Sequence, residues 1–238
     1  MREASPNLSC KLLFILFFTS LLGVRTSGQT VEFLPEINTY YKINSNVRLD
    51  FQAKETREAG DPTQAEIGPS LDFFVKPPIA LKDIPLYDPT EAKSRILQLF
   101  VGYRYLRSPD KSTVQRMEVG FMANFPFVAK ILLSDRNRFD LDWQPGHFYW
   151  RYRNRVKFER TIQIVSYNPA PYVSAEFFYQ SQYQKWATTA LYAGALFPTG
   201  KHFAFDAYYE HQNITGKRPN QQLNQLGLIL NVYFRAGQ

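Results

Sequence analysis

The chain has 238 residues, 45% apolar and 16% aromatic, and carries 28 Lys+Arg against 21 Asp+Glu for a formal net charge of +7. That much apolar material excludes a disordered chain, and a single cysteine excludes a disulfide scaffold or a multi-cysteine metal site. The basic excess is too mild to point to a nucleic-acid partner, and none is expected. Mean hydropathy is only −0.34 despite 15 Tyr and 20 Phe, because apolar residues stand singly between polar ones.

Residues 1–28 read as a secretory signal peptide. Arg2 and Lys11 give a positive start, Leu12 to Leu22 is an apolar run, and Thr26 and Gly28 supply small residues before a cleavage point. The run is too short to span a bilayer as a helix, which takes about 20 residues. Cys10 precedes it, so it is not a lipid-attachment cysteine. Cleavage would remove it, together with three basic residues and one acidic one, and lower the net charge from +7 to +5. The mature domain is then 29–238.

Beyond the leader, period two dominates. Weaker alternation covers about 32–41. From Val47 to Lys54, Val47, Leu49, Phe51 and Ala53 oppose Arg48, Asp50, Gln52 and Lys54. From Ala65 to Lys76, Ile67, Leu71, Phe73 and Val75 oppose Glu66, Ser70, Asp72 and Lys76. Leu97, Leu99, Val101, Tyr103 and Tyr105 form the next apolar row, and Met117, Val119, Phe121, Ala123 and Phe125 the one after, against Arg116, Glu118, Gly120 and Asn124. A weaker segment at about 130–143 precedes Trp150, Tyr152, Val156 and Phe158, which alternate with Arg151, Arg153, Arg155, Lys157 and Glu159. In a segment at about 164–179, Val173, Ala175, Phe177 and Tyr179 alternate with Ser174 and Glu176; a weaker segment follows at about 186–197. Phe203, Phe205, Ala207 and Tyr209 alternate with Asp206, Tyr208 and Glu210. Finally, Leu226, Leu228, Leu230, Val232 and Phe234 oppose Gln225, Gly227, Asn231 and Tyr233. Short breaks fall at 44–46, 125–126, 144–146 and 198–200. Longer polar ones fall at 56–64, 107–112, 180–185 and 213–221, which predicts long loops on one edge and tight turns on the other.

A soluble sandwich or lipocalin-like barrel would turn the apolar rows inward, and a transmembrane barrel would turn them toward lipid. Three features favour the second. The strands run about 10–13 residues, enough to cross a bilayer at a tilt, against about 5–6 in ordinary strands. The polar rows hold many charges. Aromatics crowd strand ends: Trp143 and Trp150 flank a turn, Tyr103 and Tyr105 precede a loop, and Tyr233 and Phe234 close the last strand. The predicted fold is therefore all-β, an antiparallel transmembrane β-barrel. Eleven segments are visible, but single-chain bacterial barrels have even numbers. Twelve strands are expected, with a short one hidden near 79–82, or ten if residues 30–43 lie outside the barrel. Gln225, Gly227, Leu230, Val232 and Phe234 resemble the terminal signal by which outer-membrane barrels are recognised for insertion, though four residues follow the Phe.

The segments 133–141 (LSDRNRFDL), 149–160 (YWRYRNRVKFER), 171–179 (PYVSAEFFY), 208–213 (YYEHQN) and 226–234 (LGLILNVYF) resemble a bacterial family of predicted outer-membrane barrels, the domain-of-unknown-function 2490 family. The stretches 71–77 and 101–106 are similar too. The resemblance covers nearly the whole mature chain. It implies a β-barrel in the outer membrane and no assigned substrate, so no catalytic residue is carried over.

The densest polar feature is basic. Arg151, Arg153, Arg155 and Lys157 project from one face of one strand, and Arg136 and Arg138 from its neighbour. Like charges this close repel unless paired. Asp140, Asp142, Glu159, Glu176, Asp206 and Glu210 are the expected partners, in an ion-pair network that fills a narrow lumen; a basic lining for anionic solutes is the functional alternative. The histidines, His147, His202 and His211, match no barrel phospholipase or lipid A deacylase word, and no two have metal-ligand spacing on one strand face. Neither catalytic residues, a metal nor a cofactor is expected. The expected role is an integral outer-membrane barrel of a Gram-negative-type bacterium, porin-like as a narrow passive channel or purely structural, with outer-membrane lipid and the insertion machinery as partners and the solute unknown. The alternatives are a membrane lipid-modifying enzyme, with His211 as the residue to test, and a secreted lipocalin-like binder.

Overall fold

The structure is a computed structural model, and it describes residues 31–58, 61–78, 84, 86–109, 111–164, 167–216 and 219–235. The expected signal peptide, 1–28, lies outside the described residues. Eleven strands follow in chain order: β1 (Val31–Lys42), β2 (Val47–Glu58), β3 (Asp61–Pro78), β4 (Arg95–Ser108), β5 (Lys111–Phe127), β6 (Ile131–Gln144), β7 (His147–Glu159), β8 (Ala170–Gln180), β9 (Lys185–Thr199), β10 (Phe203–Ile214) and β11 (Gln221–Arg235). Each pairs with its sequence neighbours, and β1 closes on β11 into a single barrel.

The strands form where period-two alternation runs uninterrupted, and they reverse where the backbone has help. Asn44 Oδ1 accepts the amides of Asn46 and Val47 at 2.8 and 2.9 Å, which folds the β1–β2 turn. Gly146 and Gly200 take φ of 76° in the β6–β7 and β9–β10 turns, where a side chain would be strained.

Two expectations about the barrel are corrected. It has eleven strands, not twelve or ten, and residues 31–42 are inside it. The proposed strand near 79–82 falls outside the described residues. Since each strand reverses the last, an odd count brings β1 and β11 into the same direction. They pair in parallel from Val31↔Asn224 to Lys42↔Arg235, while the other ten ladders are antiparallel. Parallel pairing is slightly weaker per residue, but closure leaves no unpaired edge. Alternation within a strand carries no information about parity, so the even-number rule could not be tested against the sequence.

The loop expectation also changes. β2 reaches Glu58 and β3 starts at Asp61, while β4 reaches Ser108 and β5 starts at Lys111. The breaks at 56–64 and 107–112 are thus mostly strand. The long connections are 79–94 and 160–169, and both lie at the mouth where β11 ends, here the C-mouth. The other, where β1 begins, is the N-mouth. β8 starts at Ala170 rather than near 164, directly after Pro169, which has no N–H to donate. Residues 160–164 instead pair with 167–171, the Arg160 and Ile162 amides donating to the Pro171 and Pro169 carbonyls.

Sidedness is as the alternation predicts. Leu99, Phe121, Phe177 and Leu228 face outward, 38–43% exposed. Glu176 and Asp140 face inward and are fully buried. A lipocalin-like barrel would have the reverse. Outside, Trp150, Tyr179 and Trp186 form a run of ring contacts near the N-mouth, with centroids 5.4 and 5.8 Å apart. Inside, the Tyr208 ring lies flat along the wall, and its register neighbours are Gly194 on β9 and Gly227 on β11. A Cβ at Gly227 would stand 2.0 Å from the Tyr208 ring. Gly227→Val is therefore expected to lower stability by about 1–3 kcal/mol through overpacking, read as a lower urea midpoint of tryptophan fluorescence. The double variant Gly227→Val/Tyr208→Ala is expected to recover part of the loss.

Candidate functional site

The barrel encloses a cavity of about 700 Å³, lined almost wholly by the polar stripes of the strands. On its β6–β8 wall the inward positions bring the basic ladder onto two buried carboxylates. Glu176 on β8 accepts from Arg153 Nε at 2.9 Å and Nη2 at 3.0 Å, from Arg155 Nη2 at 2.6 Å and from Arg136 Nη2 at 3.3 Å. Tyr192 completes it, donating its hydroxyl at 2.9 Å. Asp140 on β6 lies 2.7 Å from Arg138 Nε, 3.3 Å from Arg151 Nη2 and 3.6 Å from Arg153 Nη1. Arg153 thus links the two centres. The guanidinium planes also stack, Arg153 on Phe178 at 4.4 Å and Arg155 on Tyr192 at 4.2 Å.

The network extends beyond the residues expected from the sequence. Arg138 reaches Glu118 on β5 at 3.0 Å, Arg116 forks onto Asp142 at 2.6 and 3.1 Å, and Arg116 and Arg104 meet Glu66 at 3.4 and 4.0 Å. Arg48 pairs with Asp72 across β2 and β3 at 2.6 Å. The alternation of β2 to β5 already placed these charges on the polar face; what it could not show was which of them meet across strands. Lys157 pairs with Glu159 at 2.7 Å, and Glu159 also holds Lys93, a loop residue that no strand pattern marks.

Asp206 and Glu210 were expected to join this network and do not. Asp206 accepts from Tyr172 at 2.9 Å and Glu210 from Gln212 at 2.5 Å. Glu36 is held by Asn38 and Gln52 at 2.7 and 2.6 Å, and Asp50 by Ser70 at 3.2 Å. These four carboxylates sit on β10, β1 and β2, and none forms an ion pair with another described residue. The ring order sets β1 and β2 across the lumen from β6 and β7. For Glu36 and Asp50 the reason is topological: strands far apart around the ring cannot share a short side-chain contact. The lumen thus carries the arginine ladder on β6 and β7 and, on β1, β2 and β10, carboxylates held by amides and hydroxyls, with Arg48 and Lys54 also lining β2.

The C-mouth is crossed by the segment before β4. Tyr87 donates to the carbonyls of Gly200 and Phe203 at 3.3 and 3.2 Å. Pro89 accepts from Arg235 at 2.6 Å, Thr90 from Arg48 at 2.9 Å, and the Ala92 carbonyl from Asn124 at 3.3 Å. Glu91 pairs with Lys42 at 2.7 Å, and Lys93 with Glu159. The anchors stand on β1, β2, β5, β7, β10 and β11, on opposite sides of the ring. Thr90 and Ala92, within the segment, are buried. No anchor ties a comparable segment over the N-mouth among the described residues.

The family model for proteins of unknown function, DUF2490, matches residues 92–223, more than half of the chain. The chain belongs to this family. No curated protein matches it. Among solved structures, this DUF2490 protein is similar to a bacterial polysaccharide outer membrane secretin, with a TM-score of 0.50 and 8% identity over 78% of this chain. It spans 64% of that structure's chain, and at this identity the likeness is one of barrel fold alone.

Of the residues of the expected insertion signal, Gln225 and Gly227 face inward and Leu230, Val232 and Phe234 outward. His211 points outward, where Nδ1 meets Asn224 Oδ1 at 2.8 Å. Glu210 precedes it and points into the lumen, so it cannot orient the imidazole. His147 stacks on Tyr149, and His202 meets the Tyr233 carbonyl at 2.9 Å.

Removing the Glu176 carboxylate leaves three guanidinium groups without their shared partner. Glu176→Ala is expected to destabilise the barrel by about 3–5 kcal/mol, as for one partner of a buried pair, measured by urea unfolding in detergent. Arg153→Ala, which leaves Arg136 and Arg155 on Glu176, is expected to cost less.

Proposed function

We propose that this DUF2490 protein is an integral β-barrel of the bacterial outer membrane, exported by its N-terminal leader and inserted through its terminal strand. The observation that carries this reading is the sidedness of a closed barrel, with an apolar belt outside and an ion-paired interior. In water such a belt would expose a contiguous apolar surface far larger than monomeric soluble proteins show. In lipid the same belt is favourable, and closure satisfies every strand edge.

Its lumen works as a braced, blind pocket. The guanidinium–carboxylate network ties β2 through β8 together, and segment 86–95 shuts the C-mouth. A passive pore requires that segment to leave. The arginine ladder and the carboxylates across from it would then orient a solute that carries both charges. None of the three histidines lines the cavity, and we read the barrel as non-enzymatic. Outer-membrane lipid and the insertion machinery are the partners, and the solute is open.

Two measurements test this. The chain from Gln29, refolded with lipid vesicles, is expected to float with them and to resist carbonate extraction; recovery in the aqueous fraction would end the proposal. In planar bilayers the intact protein is expected to be silent near neutral pH, and the Lys42→Ala/Arg235→Ala variant, which loses two anchors of the segment, to conduct. Acid acts in the same direction. The hydrogen bond from Lys42 holds the Glu91 carboxyl below its usual range, so the tie is present at neutral pH and is lost only as pH falls through that lowered value, below the ordinary Glu value of about 4.3. Acid-induced conductance is expected in the intact protein, whereas Glu91→Ala, which lacks this tie at any pH, is expected to conduct already near neutral pH and to gain little on acidification.

A further inference from the structure

The outward face of the barrel is apolar around its waist except at one place. On β6 the alternation that turns Arg136, Arg138 and Asp140 inward turns Asp135 and Asn137 outward, between Leu133 and Phe139. On β7 it turns Asn154 outward, between Tyr152 and Val156. Asn137 and Asn154 are register partners near the middle of both strands. Their neighbours on the same outer surface are Phe121 on β5 and Phe177 on β8, both 42% exposed. None of the three polar residues lines the cavity. Elsewhere the described outward polar groups lie toward the N-mouth, such as Glu55 with Arg57 and His211 with Asn224, or are a lone hydroxyl such as Thr39.

The three residues are bonded to one another. Asn154 Nδ2 donates to Asp135 Oδ1 at 2.7 Å and to Asn137 Oδ1 at 3.1 Å, and Asn137 Nδ2 donates to Asp135 Oδ2 at 3.1 Å. The Tyr152 hydroxyl donates to Asn137 Oδ1. These bonds leave the cluster incomplete. A carboxylate offers about four acceptor sites, and two are used. An amide nitrogen carries two N–H groups, and Asn137 uses one. Acceptor and donor stand side by side, so the cluster is complementary to a two-fold copy of itself. Asp135 and Val156 face small residues on the neighbouring strands, Ala123 and Ala175. Such residues let backbones come close, while polar groups between membrane segments act as glue.

We propose that this face, centred on Asp135, Asn137 and Asn154, is an isologous contact between two copies of the chain within the membrane. A two-fold axis along the bilayer normal sets the free Asn137 N–H of one copy against the Asp135 carboxylate of the other, and the reverse. Two-fold dimers are the commonest closed assembly, and a charge at bilayer depth that serves no lumen marks a site facing another protein rather than lipid. The inference rests on the reading of the chain as a membrane barrel.

The test uses the chain from Gln29, which contains no cysteine, refolded into vesicles whose flotation is verified first. Single-molecule photobleaching is expected to show two copies per particle. Asp135→Leu/Asn137→Leu, which makes the face lipid-like, is expected to lower the dimer fraction at least tenfold at equal protein-to-lipid ratio, while tryptophan fluorescence and flotation stay unchanged. Asn154→Cys is expected to form an intermolecular disulfide under mild oxidation, and Thr39→Cys, on the far side of the barrel, is not. Floating protein that is monomeric, or a Leu double variant that stays dimeric, overturns the contact and leaves the membrane reading standing. Protein that does not float overturns both.

Discussion

The fold depends on keeping six inward-facing cations on two adjacent strands electrically satisfied. β6 and β7 pair with Arg136↔Arg155 and Arg138↔Arg153 side by side, a juxtaposition that would repel on its own. Glu176 and Asp140 resolve it, each fully buried and each meeting three guanidinium groups. A carboxylate shared among several arginines fixes register as well as charge, since a one-residue slip of β8 would move Glu176 to the outer face. The network thus makes the polar interior and the apolar exterior mutually dependent: the charges can stay inside only while the ladder holds, and the ladder shows its apolar stripe outward for the same reason.

Neutralisation on one wall has a consequence on the other. Because β5, β6 and β8 supply the counter-charges for the basic ladder, the carboxylates of β1, β2 and β10 are left to amides and hydroxyls. The guanidinium groups are thus concentrated on β6 and β7 although the chain as a whole is only mildly basic. The segment across the C-mouth uses the same chemistry at its margin. Lys42, Arg48, Glu159 and Arg235 each lie near the C-mouth end of a strand, where a side chain can turn from the wall to a crossing loop.

Much of the barrel was legible in the order of residues. The bounds of ten strands fall within a few residues of those read from alternation, because a half-buried strand must present one face to each environment. β8 alone starts well after its alternation does, because 160–164 and 167–171 pair with one another before the barrel ladder begins. Alternation marks eleven segments, the number of strands observed; the even-number rule that would add or remove one is not encoded in it. At the site, Arg136, Arg138, Arg151, Arg153, Arg155, Lys157, Asp140, Glu159 and Glu176 were identifiable from their face alone. Arg104 and Lys93 were not singled out, and Asp206 and Glu210 were wrongly paired, since face does not give position around a ring.

The sequence by itself therefore determined the strand class, the two faces and the charge of the interior. These are local properties, set by a two-residue period. Only the tertiary structure decided the parallel closure of β1 on β11, the meeting of Arg136 with Glu176 across 40 residues, and the reach of Tyr87 to Phe203 across 116. Those depend on register summed around the closed ring, a quantity that no single strand contains.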